Sequence, residues 1–372
     1  MKKRAETASL ESPITNRLDD CCITPGQSLR EAIALIDCNC KGIVLVVDPE
    51  NRLLGTLTDG DVRRALLTGR SLETTVADLL AAKVDGLYPT PITAQPGLQP
   101  HELLQILQRH DIHQLPLVDG DGRIVDLIVL DDLLPHEALP VQAIIMAGGK
   151  GTRLHPITQN VPKVMLPIGD RPILEHIVAQ LRSARINRIS VATHHLSEQI
   201  KHHFGDGRRF GVSLDYVSEE SPLGTAGALA LLSMGTEPLL VINGDILTEV
   251  DFRAMLSYHR EHKADITVAV RQFDVQVPYG VIQSDGVLVT DIQEKPVFNL
   301  FVNAGIYLLE PIVHQHIPKG RRFDMTDLIH HLLSQGRPVA SFPVVEYWLD
   351  IGQHKDYEQA QKDIQSGKFG GK

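Results

Sequence analysis

The run Val141-Gln-Ala-Ile-Ile-Met-Ala-Gly-Gly-Lys-Gly-Thr-Arg-Leu154 constrains this chain more than any other stretch. Val141 to Met146 is short, almost wholly apolar and ended by glycines, which predicts a buried parallel strand. Gly148, Gly149 and Gly151 follow at once. Glycine accepts φ > 0 and lets backbone N–H groups close on an anion. Arg153 and, in Val161-Pro-Lys-Val-Met-Leu-Pro167, Lys163 bring fixed positive charge to the same mouth. A strand end, a glycine loop and two cations predict a triphosphate cradle. The spacing is neither that of a Walker A loop nor Gly-x-Gly-x-x-Gly.

Downstream, helical and strand patterns alternate. Arg171–Arg182 reads as a helix, Arg188–Thr193 as a strand, Leu196–Phe204 as a helix and Ser213–Val217 as a strand. This order predicts an α/β fold with a Rossmann-like, doubly wound, mostly parallel sheet whose ligands sit at the carboxyl ends of the strands. Pro238-Leu-Leu-Val-Ile-Asn-Gly-Asp245 is an apolar strand that sets Asp245 at that edge, where a hard cation and phosphates would meet. In Glu219-Glu-Ser-Pro-Leu-Gly-Thr-Ala-Gly-Ala-Leu229, two glycines flank Thr225, which is also placed to cap a helix starting near Ala228. Asp265–Val270 reads as a strand. Tyr279–Ile282 and Val287–Ile292 read as an antiparallel pair around Asp285-Gly286. A final helix runs from Lys355 to near Gly367, before a disordered tail.

The first third holds an internal repeat. Ser28–Ile36 has helical spacing, Gly42–Asp48 and Arg52–Thr58 are strands, and Asp59–Leu67 opens another helix with acidic residues. The order recurs from Leu98: helix to Gln108, strands Gln114–Asp119 and Arg123–Val129, helix from Asp131. Two such units normally bury their sheets together. The division expected is a flexible head over 1–16, repeat units over 17–79 and 80–138, a large domain over 141–365 and a flexible tail over 366–372. Pro135–Pro140 serves as the linker.

Composition narrows the function. A net charge of −10 argues against a nucleic-acid binder, so phosphates must meet local cations rather than a global field. No apolar run approaches the ~18 residues of a membrane span, and the basic start has no apolar segment behind it, so a cytoplasmic protein is expected. Cys21, Cys22, Cys38 and Cys40 fit no zinc spacing and read as reduced thiols.

The string Gly-Gly-x-Gly-Thr-Arg-Leu followed by Pro-Lys resembles the sugar-phosphate nucleotidyltransferases, which join a sugar 1-phosphate to a nucleoside triphosphate and release pyrophosphate. The resemblance implies catalytic roles for Arg153 and Lys163. It implies nucleotide contacts by Ala147, Gly148, Gly149, Gly151, Thr152, Glu220, Gly224 and Thr225, and sugar-phosphate contacts by Gly244, Glu294, Lys295, Asn303 and Gly305. It places Mg²⁺ on Asp245 and on Asp350 of Glu346-Tyr-Trp-Leu-Asp-Ile-Gly-Gln353. The repeat resembles a tandem CBS (Bateman) module. Thr58 and Asp61 of Gly55-Thr-Leu-Thr-Asp-Gly-Asp61 would then hold an adenine nucleotide, with Asp132 matching Asp61. The second repeat departs from that pattern, with Asp126 in place of Gly55 and Val129 in place of Thr58. Packing or dimerisation alone is therefore an equal reading.

The fusion, with Pro-Leu-Gly-Thr-Ala-Gly-Ala-Leu and Tyr-Trp-Leu-Asp-Ile-Gly, is most similar to the glucosamine-1-phosphate guanylyltransferases of legionaminic acid biosynthesis. That implies GTP and glucosamine 1-phosphate as substrates, surface glycan synthesis as the setting and a homo-oligomer as the assembly. Mannose-1-phosphate guanylyltransferases share the same loops. The rival class, a nucleotide-sensing regulatory protein without activity, would be expected to lack Lys163, Asp245 or Asp350, and all three are present.

Overall fold

A computed structural model describes residues 18–39, 41–83, 90–133, 138–233 and 235–370. The head expected over 1–16, Cys40 and part of the linker lie outside the described residues. The chain parts into two compact units between His136 and Glu137.

In the first unit each repeat builds the same motif. Helix Leu29–Asn39 precedes antiparallel strands Ile43–Val47 and Leu53–Thr58 and helix Asp59–Leu67. Helix Pro100–His110 precedes antiparallel strands Gln114–Val118 and Ile124–Val129 and the short helix Leu130–Leu133. The repeats share a core in which Ile43, Leu45 and Val47 pack with Ile124 and Leu127. Backbone bonds Leu53 N–H to Gly122 O and Ile124 N–H to Asn51 O tie the two hairpins. One helix, Val76–Ala82, has no counterpart in the sequence reading; Thr75 caps it by accepting from the Asp78 N–H. Its Leu80 lies 2.8 Å from where a Cβ on Gly55 would stand, so Gly55 leaves room for that helix. Cys21 is buried, Cys22 half-buried and Cys38 exposed.

The second unit is built on a seven-stranded sheet. Its strands are β1 (Gln142–Met146), β2 (Arg188–Thr193), β3 (Ser213–Ser218), β4 (Leu239–Asn243), β5 (Ile266–Gln276), β6 (Val297–Leu309) and β7 (Val339–Pro343). They lie in the order β3-β2-β1-β4-β6-β5-β7. All neighbours are parallel except β4–β6 and β6–β5. The sheet is therefore parallel-rich, as alternating strands and helices require.

Side chains alternate between two cores. Ala143, Ile145, Leu240 and Ile242 face one, against helices Ile173–Ser183 and Phe252–Glu261. Ile144, Leu239 and Val241 face the other, against helix Met325–Ser334. Both faces of β1 and β4 are covered, which explains why those strands read as unbroken apolar runs. β5 runs much further than the strand Asp265–Val270 expected there. The tail also departs from expectation: Phe369 is buried, its ring tilted against those of Tyr347 and His176, and the Gly370 N–H bonds Glu249.

Candidate functional site

β1 ends at the sheet's carboxyl edge, and the glycine loop leaves it there. The Ala147 N–H is spent on Ala192 O, so Ala147 still belongs to the strand. Among the described residues the N–H groups of Gly148, Gly149, Lys150 and Gly151 meet no acceptor. Four such donors in a turn suit an anion. Gly151 takes φ +62° at the start of a short 3₁₀ turn, Thr152–Leu154. A Cβ there would stand 3.1 Å from Lys163 Cβ and 3.2 Å from Thr158 Cγ2, so the loop lies directly on the Lys163 segment. The Thr158 hydroxyl donates to Gly151 O and fixes the turn.

Lys163 opens a 3₁₀ turn, Lys163–Met165, after Pro162. Its ammonium donates to Asp245 Oδ2 at 2.5 Å. Asp245 follows β4 by two residues. The intervening Gly244 gives its N–H to Met146 O, and a Cβ on it would meet Val164 Cγ1 at 2.7 Å. The Gly244 N–H is thus occupied, and its lack of a side chain lets the lysine turn approach the strand end.

Asp350 arrives through a short antiparallel ladder, Ile246–Thr248 with Trp348–Asp350, in which Ile246 is paired with Asp350. Ile351 N–H bonds Asp245 O. The two acids, about a hundred residues apart in sequence, become neighbours. Surrounding protein and then the charge of Asp245 push the Asp350 carboxyl above the usual carboxylate range, against the pull of Lys163 and Arg153. An Arg153 Nη1 and an Asp350 Oδ1 both come within 4 Å of the Cβ position of Gly352. Lys163, Asp245, Asp350 and Arg153 therefore converge beside the glycine loop. Two carboxylates in one polar mouth are the hard oxygen donors that a divalent ion such as Mg²⁺ takes, with phosphate and water oxygens completing its shell.

The loop 219–229 is placed differently from expectation. Its helix begins at Gly224 and is a single turn. Thr225 does not cap that turn: its hydroxyl accepts from Met325 N–H, the first residue of helix Met325–Ser334. Its own N–H bonds Asp324 Oδ1. Ala226 and Gly227 N–H groups bond Phe323 O, and Phe323 N–H bonds Leu223 O. Gly224 is required there, since a Cβ would meet Asp324 Oδ1 at 2.4 Å. Thr225 and Gly224 thus anchor the loop. Glu220 is exposed, whereas Glu219, which the sequence reading passed over, has an Oε1 lying 2.9 Å from a Cβ position on Gly148. Its other oxygen accepts from Leu223 N–H.

Gly305 (φ +73°), expected to line the sugar site, sits in an irregular stretch of the β5–β6 register and abuts Asn243, whose Nδ2 is 2.7 Å from a Cβ position on that glycine. Asn303 Oδ1 accepts from Gly305 N–H, and its Nδ2 donates to Tyr307 Oη. Trp348 Nε1 donates to Ala304 O, joining β6 to the strand that carries Asp350. Asn243 Oδ1 is buried and meets no partner among the described residues, an acceptor that no sequence signal singled out. Glu294 and Lys295 are both exposed; Glu294 Oε2 lies 3.1 Å from a Cβ position on Gly280, and Lys295 holds a left-handed φ of 46°.

In the first unit, Thr58 caps helix Asp59–Leu67 in a reciprocal box with Asp61. Asp61 Oδ2 accepts from the Thr58 N–H and hydroxyl and, at 2.6 Å, from Lys83; Oδ1 accepts from Arg64. Burial opposes the charge, but Lys83, Thr58 and Arg64 together hold the Asp61 carboxyl below its ordinary value. The side chain of Asp132 lies outside what the structure describes.

Comparison with known proteins places both units in families. The nucleotidyl transferase family matches residues 142–367, and the CBS domain matches 15–68 and 87–138. The chain is 35% identical to a UTP–glucose-1-phosphate uridylyltransferase of Synechocystis over 61% of its length and 64% of the relative's. It is 32% identical to the mannose-1-phosphate guanylyltransferase of Mycobacterium tuberculosis over 61% and 65%. It thus spans less than two thirds of either relative. A Bacillus anthracis structure, assigned as a glucose-1-phosphate thymidylyltransferase and solved with sucrose, superposes with a TM-score of 0.50 at 28% identity, over 60% of this chain and 94% of that one. Among the described residues no helix is long and apolar enough to cross a membrane.

Proposed function

The chain belongs to the nucleotidyl transferase family, and from that premise we propose that it transfers a nucleoside monophosphate from a triphosphate to a sugar 1-phosphate. The observation that carries this reading is the convergence of Lys163, Asp245, Asp350 and Arg153 on the open N–H groups of the glycine loop. An oxygen of the sugar phosphate attacks the α-phosphorus and forms the new P–O bond. The bond to the β-phosphate bridging oxygen breaks, and pyrophosphate leaves with that electron pair. The nucleophile is already an anion at neutral pH, so no general base is needed. The protein must orient two anions and offset their charge.

Each residue has a part in that. The loop N–H groups and Arg153 hold the terminal phosphates. Lys163, parked on Asp245, is within reach of a triphosphate seated on the loop and stabilises charge gathering at the α-phosphate. Asp245 and Asp350 would hold Mg²⁺, which when bound offsets the charge of the phosphate oxygens. Lys295, Glu294, Asn303 and Gly305 would receive the sugar phosphate.

GTP is the base reading that the site favours. Guanine presents N1–H and a 2-amino group side by side, and the Glu219 carboxylate against Gly148 is the acceptor that such an edge needs. Uracil and thymine set carbonyls beside their single N–H, which a carboxylate would repel. Glucosamine 1-phosphate is the sugar reading, with mannose 1-phosphate as its rival, and surface glycan synthesis in the cytoplasm is the setting. The CBS pair would tune the reaction through an adenine nucleotide, whose ribose would have to displace Lys83 from Asp61.

A matrix of four triphosphates against glucosamine, N-acetylglucosamine, mannose and glucose 1-phosphates, read by pyrophosphate release, tests the reading. GTP with glucosamine 1-phosphate should be fastest, and Glu219→Gln should narrow the preference for GTP about tenfold or more. Equal rates with all four bases would refute the role of Glu219. Absence of pyrophosphate in every cell would refute the activity.

A further inference from the structure

The cluster of Arg153, Lys163 and Asp350 rests on three short segments. The glycine loop ends at His155, the lysine turn Lys163–Met165 runs into Pro167, and Trp348–Asp350 brings the second acid. Segments this short do not hold their own position. One helix, His354–Gln365, is bonded to the first two directly and to the third through Tyr347.

At the start of that helix, His354 Nε2 donates to His155 O at 2.9 Å. Tyr357, Gln361 and Ile364 recur at helical spacing and form one face. The Tyr357 hydroxyl and Gln361 Nε2 both donate to Pro167 O, at 2.8 and 2.7 Å, and Gln361 Oε1 accepts from Gly169 N–H. The approach is close: a Cβ on Gly169 would stand 3.0 Å from Ile364 Cγ2. Another face holds Asp363, which is buried and accepts from the Tyr347 hydroxyl at 2.9 Å. Tyr347 precedes Trp348, and its carbonyl accepts from Glu249 N–H and the Thr248 hydroxyl across the rung. Burial and then the Asp363 carboxylate push the Tyr347 phenol up, so it remains a donor. Past the helix, Phe369 tilts against the Tyr347 ring, and Gly370 N–H bonds the Glu249 carboxylate.

We propose that this helix is a tie that fixes the lysine turn against the acid-bearing strand. Gln361 and Tyr347 are then positioning residues, the first for Lys163 through Pro167, the second for Asp350 through Trp348. The transfer needs such a device, because a misplacement of about 1 Å costs on the order of 100-fold in rate. Both residues sit on one rigid element, so loosening either end loosens the spacing that the other end holds. The kinetic part of the test rests on the reaction proposed above; the exchange part does not.

Amide exchange of the full chain without substrates is the first measurement. Gln361→Leu should speed exchange of the Ile351 amide, which bonds Asp245 O, about tenfold, although Gln361 bonds the Pro167 segment. Tyr347→Phe should do the same to the Leu166 amide, which closes the lysine turn on Lys163 O. Val241, in central β4, should keep its wild-type exchange in both. Glu358→Ala, at an exposed position of the same helix, should change neither amide. In turnover, each of the first two variants should lower kcat about tenfold and move KM for the triphosphate less than about twofold. The double variant should lose no more than the worse single, since one tie is broken once. Should Gln361→Leu misfold, Tyr357→Phe, which removes one bond to Pro167 O, replaces it. Exchange that changes only beside each substitution, a Val241 amide speeded equally, or rate losses that multiply would overturn the proposal. If the wild type releases no pyrophosphate, the reaction falls and exchange alone decides whether the tie exists.

Discussion

Lys83 meets Asp61 at 2.6 Å in the first unit, and Lys163 meets Asp245 at 2.5 Å in the second. The distances are nearly equal, and the surroundings are not. Asp61 is 10% exposed and accepts three further hydrogen bonds, from the Thr58 N–H, the Thr58 hydroxyl and Arg64. Asp245 is 26% exposed, accepts from Lys163 alone among the described residues, and faces a second acid. The first carboxylate is satisfied and closes a helix end. The second is under-coordinated, beside donors that have no acceptor. An ion pair's length says little about its role; what distinguishes the two is how much bonding capacity the neighbours leave over.

The largest test of that contrast is Lys163→Ala. It should cut pyrophosphate release about 100-fold with the melting midpoint nearly unmoved, as loss of one preorganised donor does elsewhere. A wild-type rate would remove Lys163 from the chemistry.

A smaller, paired effect concerns stability. Asp61→Ala should weaken the first unit by about 2 kcal/mol, since it removes a cap and strands Lys83. The folded pKa of Asp61 is depressed, so its contribution is whole above the unfolded value near 3.8 and is lost as pH falls through the folded value. The gap between wild type and variant should close in strong acid. Asp350→Asn should act in the opposite direction, raising the second unit's midpoint by about a degree at pH 7, because a carboxyl held above its usual range is relieved of charge; water on its open side keeps the gain small. Calorimetric scans of the full chain check both. Two losses, or two gains, would break the contrast.

The smallest effect tests Asp61 as a ligand. AMP titrated into the full chain should bind more tightly to Lys83→Met than to the wild type, about threefold, if the lysine competes with a ribose. No heat in either protein would leave Asp61 purely structural.

Much of this was written in local signals. The glycine loop, the apolar strands and their alternation with helices place Gly148, Lys163 and Asp245 at one sheet edge, because each signal spans only a few residues. Other features depend on partners far along the chain. Thr225 has the look of a local cap, yet its hydroxyl serves Met325, which no window around residue 225 contains. Glu219 and Glu220 are indistinguishable by type; only the direction of the loop turns the first toward Gly148. Phe369 is one aromatic in a polar tail and offers no periodicity, so its pocket of His176 and Tyr347 was invisible. Asp265–Val270 was legible as a strand, but the reach of β5 and β6 past the sheet depends on where β4 and β7 stop.

The short rung of Ile246–Thr248 with Trp348–Asp350 has a kinetic consequence. Closing it spans about a hundred residues, and contacts of such sequence separation tend to form late because the entropy of the intervening loop must be met first. A refolding chain can therefore have its central strands and glycine turn in place and still be inert. Recovery of turnover should trail recovery of helical signal, making catalysis a clock for the final docking event.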